Sequence, residues 1–371
     1  MEINSFKLER YFAEYEFKVR YLFSPSDCEC VPMKDLLSLA DPEMRSAWDT
    51  LTLGYTESAG HPLLRAEVAH LYEQVEADGV LIAVPEEAIL IAMQALLSPG
   101  DHVIATYPGY QSLYEIARSL GCNVTPWTLA ASRDEWRLDL QFLDNHITHR
   151  TRLLVINFPH NPTGYLPLRE DFDSILDLAR RHNVYVLSDE MYRLLEYDRA
   201  WRLPSACDVY ERAITLSGLS KSLGLPGLRV GWLATRDLSV VSDFMKIKDY
   251  TTICGSAPSE ILAIVALRAK EALLARNLGI VHDNLSAADF FFERFSHMFH
   301  WLRPRAGSVA FPSLISGMPV DRFCRDLLER EGVMVVPGSL FEFPGDHFRV
   351  GLGRKGFPDA LKRVEAYVRS L

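Results

Sequence analysis

Leu216-Ser217-Gly218-Leu219-Ser220-Lys221-Ser222-Leu223-Gly224-Leu225-Pro226-Gly227-Leu228-Arg229-Val230-Gly231-Trp232 is the run on which the reading of this chain turns. Lys221 stands among hydroxyl and glycine residues, with Arg229 eight positions on. Small neighbours let an anionic group reach the backbone, and a guanidinium offers a planar fork for phosphate. An amine in that setting suits a lysine that holds an aldehyde as a Schiff base. Taken alone, the run could be any strand-to-loop turn.

The flanks supply a context. Ala213-Ile214-Thr215-Leu216 and Val230-Gly231-Trp232-Leu233-Ala234 read as strands. Further out, residues 62–74 carry Leu63, Leu64, Val68, Leu71 and Tyr72 at helical spacing. Residues 89–97 form an apolar run that enters the turn Ser98-Pro99-Gly100-Asp101. Strands are expected at 102–105, 152–157 and 184–187, and helices at 111–120, stopping at Gly121, and at 170–182. Strands alternating with helical stretches predict an α/β fold, a mainly parallel sheet with helices on both faces. Ligands in such sheets bind beyond the carboxyl ends of the strands. From about Ser256 the texture changes to long helical stretches, 259–278 and 284–299, followed by a strand at 333–338. The expected domains are an N-terminal arm, 1–45, joined to a small C-terminal domain, 256–371, and a large domain between them, 46–255.

Bulk properties narrow the classes. The chain has 371 residues, 48% of them hydrophobic and 24% charged, enough for a large core and more than one domain. A net charge of −10 without a basic run favours neither nucleic acid nor an anionic membrane as partner. No apolar run approaches the roughly 18 residues of a membrane span, and the charged start, Met1 to Arg10, lacks a signal-peptide core. Six scattered cysteines read as reduced core residues, and Cys28-Glu29-Cys30 lacks the partners of a metal site. The expectation is a cytoplasmic protein without a metal.

Three more motifs stand in order around Lys221: Asn161-Pro162-Thr163-Gly164, Ser188-Asp189-Glu190-Met191-Tyr192 and, near the end, Arg349. Each has an ordinary reading, a turn for the first and a helix N-cap for the second. As an ordered set, from about Gly54 to Arg349, they resemble the fold-type I pyridoxal-phosphate enzymes of the class I/II aminotransferase family. The resemblance implies a seven-stranded sheet in the large domain and pyridoxal 5'-phosphate held on Lys221 as an internal aldimine. It makes Lys221 the proton carrier and Asp189 the partner of the pyridine nitrogen, with Asn161 and Tyr192 donating to the ring oxygen. Arg229 and the hydroxyls of Ser217 and Ser220 would hold the phosphate, although Gly218 stands where many relatives have serine. A second phosphate cradle is expected from the backbone of Ala92 and Met93, unless that helix is purely apolar core. Tyr110 would stack on the ring, and Tyr55 would reach the phosphate across a homodimer interface with shared sites. Arg349 would take the α-carboxylate of an amino-acid substrate.

Gly351-Leu352-Gly353-Arg354-Lys355-Gly356 fits G-x-G-x-x-G, but only fifteen residues follow it, too few for a nucleotide-binding βαβ unit. Glu9, the run Tyr21 to Glu29, Lys248 to Thr252 and Gly332 to Phe341 resemble the subgroup of capreomycidine- and enduracididine-forming synthases. On that resemblance Glu9 and Asp27 would face a cationic side chain; otherwise they are solvated helix charge and an N-cap. The function implied is an aminotransferase for an α-amino acid. An elimination and cyclisation enzyme for a hydroxylated arginine is the second reading, and a catalytically silent binding protein is the third.

Overall fold

The computed structural model describes residues 2–371. A seven-stranded sheet lies at its centre, numbered here in chain order: β1 Val80–Ala83, β2 His102–Tyr107, β3 Asn123–Thr128, β4 Thr151–Asn157, β5 Tyr185–Asp189, β6 Ala213–Gly218 and β7 Gly231–Thr235. In space they run β1-β7-β6-β5-β4-β2-β3. β7 is antiparallel to both of its neighbours, and every other pairing is parallel.

Burial on both faces explains why the inner strands are almost continuously apolar. In β4, Leu153 and Val155 enter one core with Val103, Leu187 and Ile214. Leu154 and Ile156 point the other way, to Ile104 and Val186. The first core is closed by three helices, α2 (Pro85–Leu96), α3 (Ser112–Ser119) and Leu238–Lys248. The second is closed by Arg169–Arg181 through Phe172, Ile175 and Leu176. Only the edge strand β3 is substantially exposed.

The first and last parts of the chain meet. Tyr21–Leu22 pairs in parallel with Val333–Met334. Val309–Ala310, Phe348–Gly351 and Val336–Pro337 form a three-stranded antiparallel sheet with Phe348–Gly351 in the middle. The glycines of the G-x-G-x-x-G run serve this contact. A Cβ at Gly351 would fall on the Pro25 carbonyl and one at Gly353 on the Asp27 carbonyl, so both positions admit the neighbouring backbone. Helix α1, Lys7–Tyr15, packs Leu8 and Phe12 into a core with Val336 and Phe341 of this part of the chain.

Two expectations about elements need correction. The helices expected at 259–278 and 284–299 are Ala257–Arg268 and Lys270–Arg294, divided at Ala269, where the backbone leaves the helical region (ψ 12). Gly279 and Asp283 lie on the solvent side of the unbroken second helix, where a glycine is tolerated for about 1 kcal/mol. The strand expected at 333–338 is two short strands, Val333–Met334 and Val336–Pro337, that pair with different partners. All six cysteines are free, yet Cys30 is exposed and Cys254 half-buried rather than core.

Candidate active site

Each motif reaches the carboxyl edge of the sheet for a local reason. β4 ends at Asn157, whose Nδ2 donates to the Asp189 carbonyl (2.9 Å) while its Oδ1 accepts from the Asn161 amide (2.9 Å). That bridge ties the turn after β4 to the end of β5, so Asn161 and Asp189 arrive together. Lys221 lies three residues beyond β6, and Arg229 lies two residues before the antiparallel β7, which begins at the same edge. Arg349 comes from the middle strand of the small sheet, 1% exposed.

They line one cavity of about 380 Å³, with Glu9, Asp27, Tyr110, Asn161, Asp189, Tyr192, Ser220, Lys221, Arg229 and Arg349 on its wall. Lys221 Nζ donates to Ser26 Oγ (2.9 Å). Desolvation holds its amine below the ordinary lysine range, with Arg349 and Arg229 acting the same way against Asp27 and Glu9. Asp189 Oδ1 accepts from the Met191 amide (3.1 Å). Burial pushes the Asp189 carboxyl up to about 7, outweighing that amide and the Lys221 charge. Arg349 donates from Nη1 to Asn161 Oδ1 (3.3 Å) and from Nη2 to the Ser24 carbonyl (2.9 Å). Phe12 and Phe341 place their rings 5.6 and 5.4 Å from its guanidinium carbon. Because Asn161 Oδ1 is occupied by Arg349, its amide nitrogen is the group left to donate.

Several buried polar atoms here have no partner among the described residues: Tyr192 Oη, Ser220 Oγ and Arg349 Nε. Unsatisfied buried polar groups are costly unless a ligand meets them. An amine, a carboxylate, a hydroxyl and a cation on one wall match the aldehyde, ring nitrogen, ring oxygen and phosphate of pyridoxal phosphate. The residues fit that cofactor.

Tyr110 follows β2 by three residues and donates from its hydroxyl to Glu9 Oε1 (2.9 Å). Phe6 meets its ring at 4.9 Å between centroids. Burial first, then the carboxylates of Glu86 and Glu9, raise its phenol above the ordinary range. The segment ahead of α1 is clamped by α3: Asn4 donates from N and Nδ2 to Glu115 Oε1 (3.0 and 2.6 Å), and the Lys7 amide to Gln111 Oε1 (3.0 Å). Leu8, Glu9 and Phe12 thereby cover the cavity.

Three expectations do not hold as stated. Ala92 and Met93 lie in the middle of α2, fully buried in the core, with their amides inside the helix; the helix starts at Pro85. Proline at the first helical position after a strand was the signal for that start. Ser217 faces away from the cavity; its hydroxyl donates to the Glu190 carbonyl (3.4 Å), and it lines a separate crevice with Tyr72 and Trp232. A Cβ at Gly218 would stand 3.0 Å from Val230 O and Gly231 Cα, a close approach that the glycine relieves. Asp27 lines the cavity, but Arg354 takes its Oδ2 at 2.7 Å, so its charge is already paired. Tyr55, whose expected place is across an interface between two copies, is 93% exposed and lines no part of its own chain's cavity. The unanticipated wall residues are Ser26, Glu16 and Glu86; the first two arrive only through tertiary packing, which no local pattern announces.

The family model of aminotransferase class I and II matches residues 39–356. Capreomycidine synthase of Streptomyces vinaceus is 32% identical over 348 residues, 93% of this chain and 88% of that one. A pyridoxal-phosphate-dependent aminotransferase from Streptococcus suis superposes with a TM-score of 0.93 at 30% identity, covering 100% of this chain and 99% of the other. The pyridoxal-phosphate-dependent cyclase OrfR superposes with a TM-score of 0.90 at 26% identity, covering 100% and 98%.

Proposed function

This chain belongs to the aminotransferase class I and II family, and from that premise we propose how its own residues serve a pyridoxal-phosphate-dependent reaction of an α-amino acid. The convergence of Lys221, Asp189 and Arg349 on one cavity is the observation that carries the reading. The cofactor, when bound, supplies an electron-withdrawing ring that stabilises negative charge on the substrate's α-carbon.

Lys221 Nζ, its basicity lowered by desolvation, takes the α-proton and returns it. With the cofactor bound, Asp189 would offer its free Oδ2 to the ring nitrogen and keep a proton there. Asn161 Nδ2 and Tyr192 Oη would donate to the ring oxygen, and Ser220 and Arg229 would hold the phosphate. Arg349, its Nε unpartnered, pairs with the α-carboxylate. Leu8 and Phe12 exclude water. Tyr55, exposed here, would reach the phosphate of a second copy in a homodimer. Residues 46–255 would move as the large domain and 256–371, with the first 45, as the small one. Six free cysteines support a cytoplasmic setting.

Amino transfer is the main reading. Elimination and cyclisation of a hydroxylated arginine is the second, and the carboxylates favour it: Glu9 and Glu16 line the substrate side of the cavity, and neither has a cationic side chain within ion-pairing distance among the described residues. The second reading requires a cationic side chain, whereas amino transfer by itself does not. Incubation with arginine, hydroxylated arginines and neutral and acidic amino acids separates them. A keto acid with the pyridoxamine form of the cofactor marks transfer, and a cyclic guanidine product marks the second. In either case Glu9→Gln should raise KM for the cationic substrate about tenfold, roughly 1.4 kcal/mol, and leave a neutral one unchanged. A wild-type preference for aspartate or glutamate would overturn the recognition by Glu9.

A further inference from the structure

Glu86 is the wall residue that the chemistry above leaves without a task. It is the second residue of α2, whose first-turn N–H groups have no acceptor within the helix, and Pro85 before it has no N–H to offer. The next residue, Glu87, turns away to Lys248 (3.6 Å) and Thr252 (2.7 Å). Glu86 faces the cavity together with Arg229 and Ser220. Ser220 is 3% exposed, and its hydroxyl has no partner among the described residues. A helix N-terminus, a buried free hydroxyl and a guanidinium make this end of the cavity a site for an anion. A carboxylate inside it runs against that design.

The charges facing Glu86 come from three elements: Glu9 of α1, Asp189 of β5 and Arg229 ahead of β7. Tyr110 also lies beside it, and from α3 the Ser112 hydroxyl donates to its Oε2 (3.2 Å). Burial is the largest influence and disfavours the ionised form; Glu9 and Asp189 add to it, while Ser112 and Arg229 oppose it. The balance pushes the Glu86 carboxyl up to about 7.

We propose that Glu86 carries a proton when the cofactor's phosphate is bound and donates it to that phosphate as a hydrogen bond, so that losing the proton loosens the cofactor. An ionised Glu86 competes with the phosphate for Arg229 and the α2 amides; a protonated one adds a donor to them. The sign follows from linkage. An anion arriving beside an acid raises that acid's pKa, so binding takes up a proton in the window above the free-protein value. Affinity is therefore full below about pH 7 and falls up to tenfold per pH unit above it, until the bound-state pKa is passed.

The inference rests on the pyridoxal-phosphate reading of the cavity. Its test titrates the full-length chain, freed of cofactor, with pyridoxamine 5'-phosphate and with pyridoxamine between about pH 6.5 and about pH 9. Neither probe condenses with Lys221, and the ratio of the two dissociation constants isolates the phosphate, whose own ionisation near 6 lies below this window. In the wild type the phosphate's advantage should fall about tenfold across the upper half of the range. In Glu86→Gln it should stay near its low-pH value throughout. Ser112→Ala, which removes a donor to the ionised form, should move the fall to higher pH. A Glu86→Gln protein that keeps the wild-type fall overturns the proposal. Should that variant not fold, an unmoved midpoint in Ser112→Ala overturns it. Failure of the underlying reading looks different: the phosphate then confers no advantage at any pH.

Discussion

Lys221 and Asp189 carry the sharpest expectations at the level of single side chains. Lys221→Ala should lose the covalent attachment of pyridoxal phosphate that borohydride fixes, together with at least about a thousandfold of turnover, roughly 4 kcal/mol of barrier. Peptide mass mapping checks the point, and a label on another lysine removes the assignment. Asp189→Asn should slow the reaction by a comparable factor while the cofactor stays bound. It should also act on the cofactor-free fold. The native carboxyl lies near 7 against 3.8 in the unfolded chain, so the native state holds its proton more tightly and its stability falls as pH rises between those values. Asn relieves the buried charge, and its stability gain over wild type, up to a few kcal/mol at about pH 8, should shrink by about pH 5 in denaturant titrations. An equal gain at both pH values would mean that Asp189 is not raised. These two residues were legible in the sequence because a strand end followed by a short motif delivers each of them. Ser26 and Glu86 were not, since Ser26 reaches Lys221 across 195 positions and Glu86 looks like any acid at a helix start.

Among the elements, the segment 23–29 shows what local reading misses. Its backbone partners, Met334, Gly351 and Gly353, are distant in sequence, and it can lie flat only because residues 351 and 353 lack side chains. Gly351→Ala should destabilise the fold by about 2 kcal/mol or more by forcing the Pro25 backbone away, and should also draw Ser26 off the lysine amine. Chemical denaturation measures the first effect; a change below about 0.5 kcal/mol would show that the segment yields freely. The central strands were predictable because burial on both faces leaves an apolar run of limited length. The edge strand Asn123–Thr128 was not, being mostly exposed and carrying a proline. The division of the long helices at Ala269 left no mark in the periodicity, which runs through it.

At the scale of the whole molecule, the surface around Tyr55 is the open question that the chain puts to its solution state. Leu53 and Tyr55 are 86% and 93% exposed, and Tyr250 and Ile253 are 94% and 53% exposed, large apolar side chains that a second copy would cover. Sedimentation should give about twice the 42.1 kDa chain mass, and Tyr250→Asp should shift the equilibrium toward single chains. A wild-type protein that sediments as one chain would refute the shared site. Tyr250 belongs to the loop whose Thr252 and neighbouring Lys248 grip Glu87, and Glu87 in turn accepts from the Val84 amide (3.2 Å) at the head of α2. The surface that would meet a second copy and the helix end that would meet the phosphate are therefore joined through the contacts of one side chain, Glu87. Thermodynamic reciprocity then sets a condition on any measurement: whatever factor association lends to cofactor affinity, cofactor must return to association. A stripped sample would dissociate on dilution sooner than a saturated one, and an affinity quoted without the protein concentration would describe a mixture.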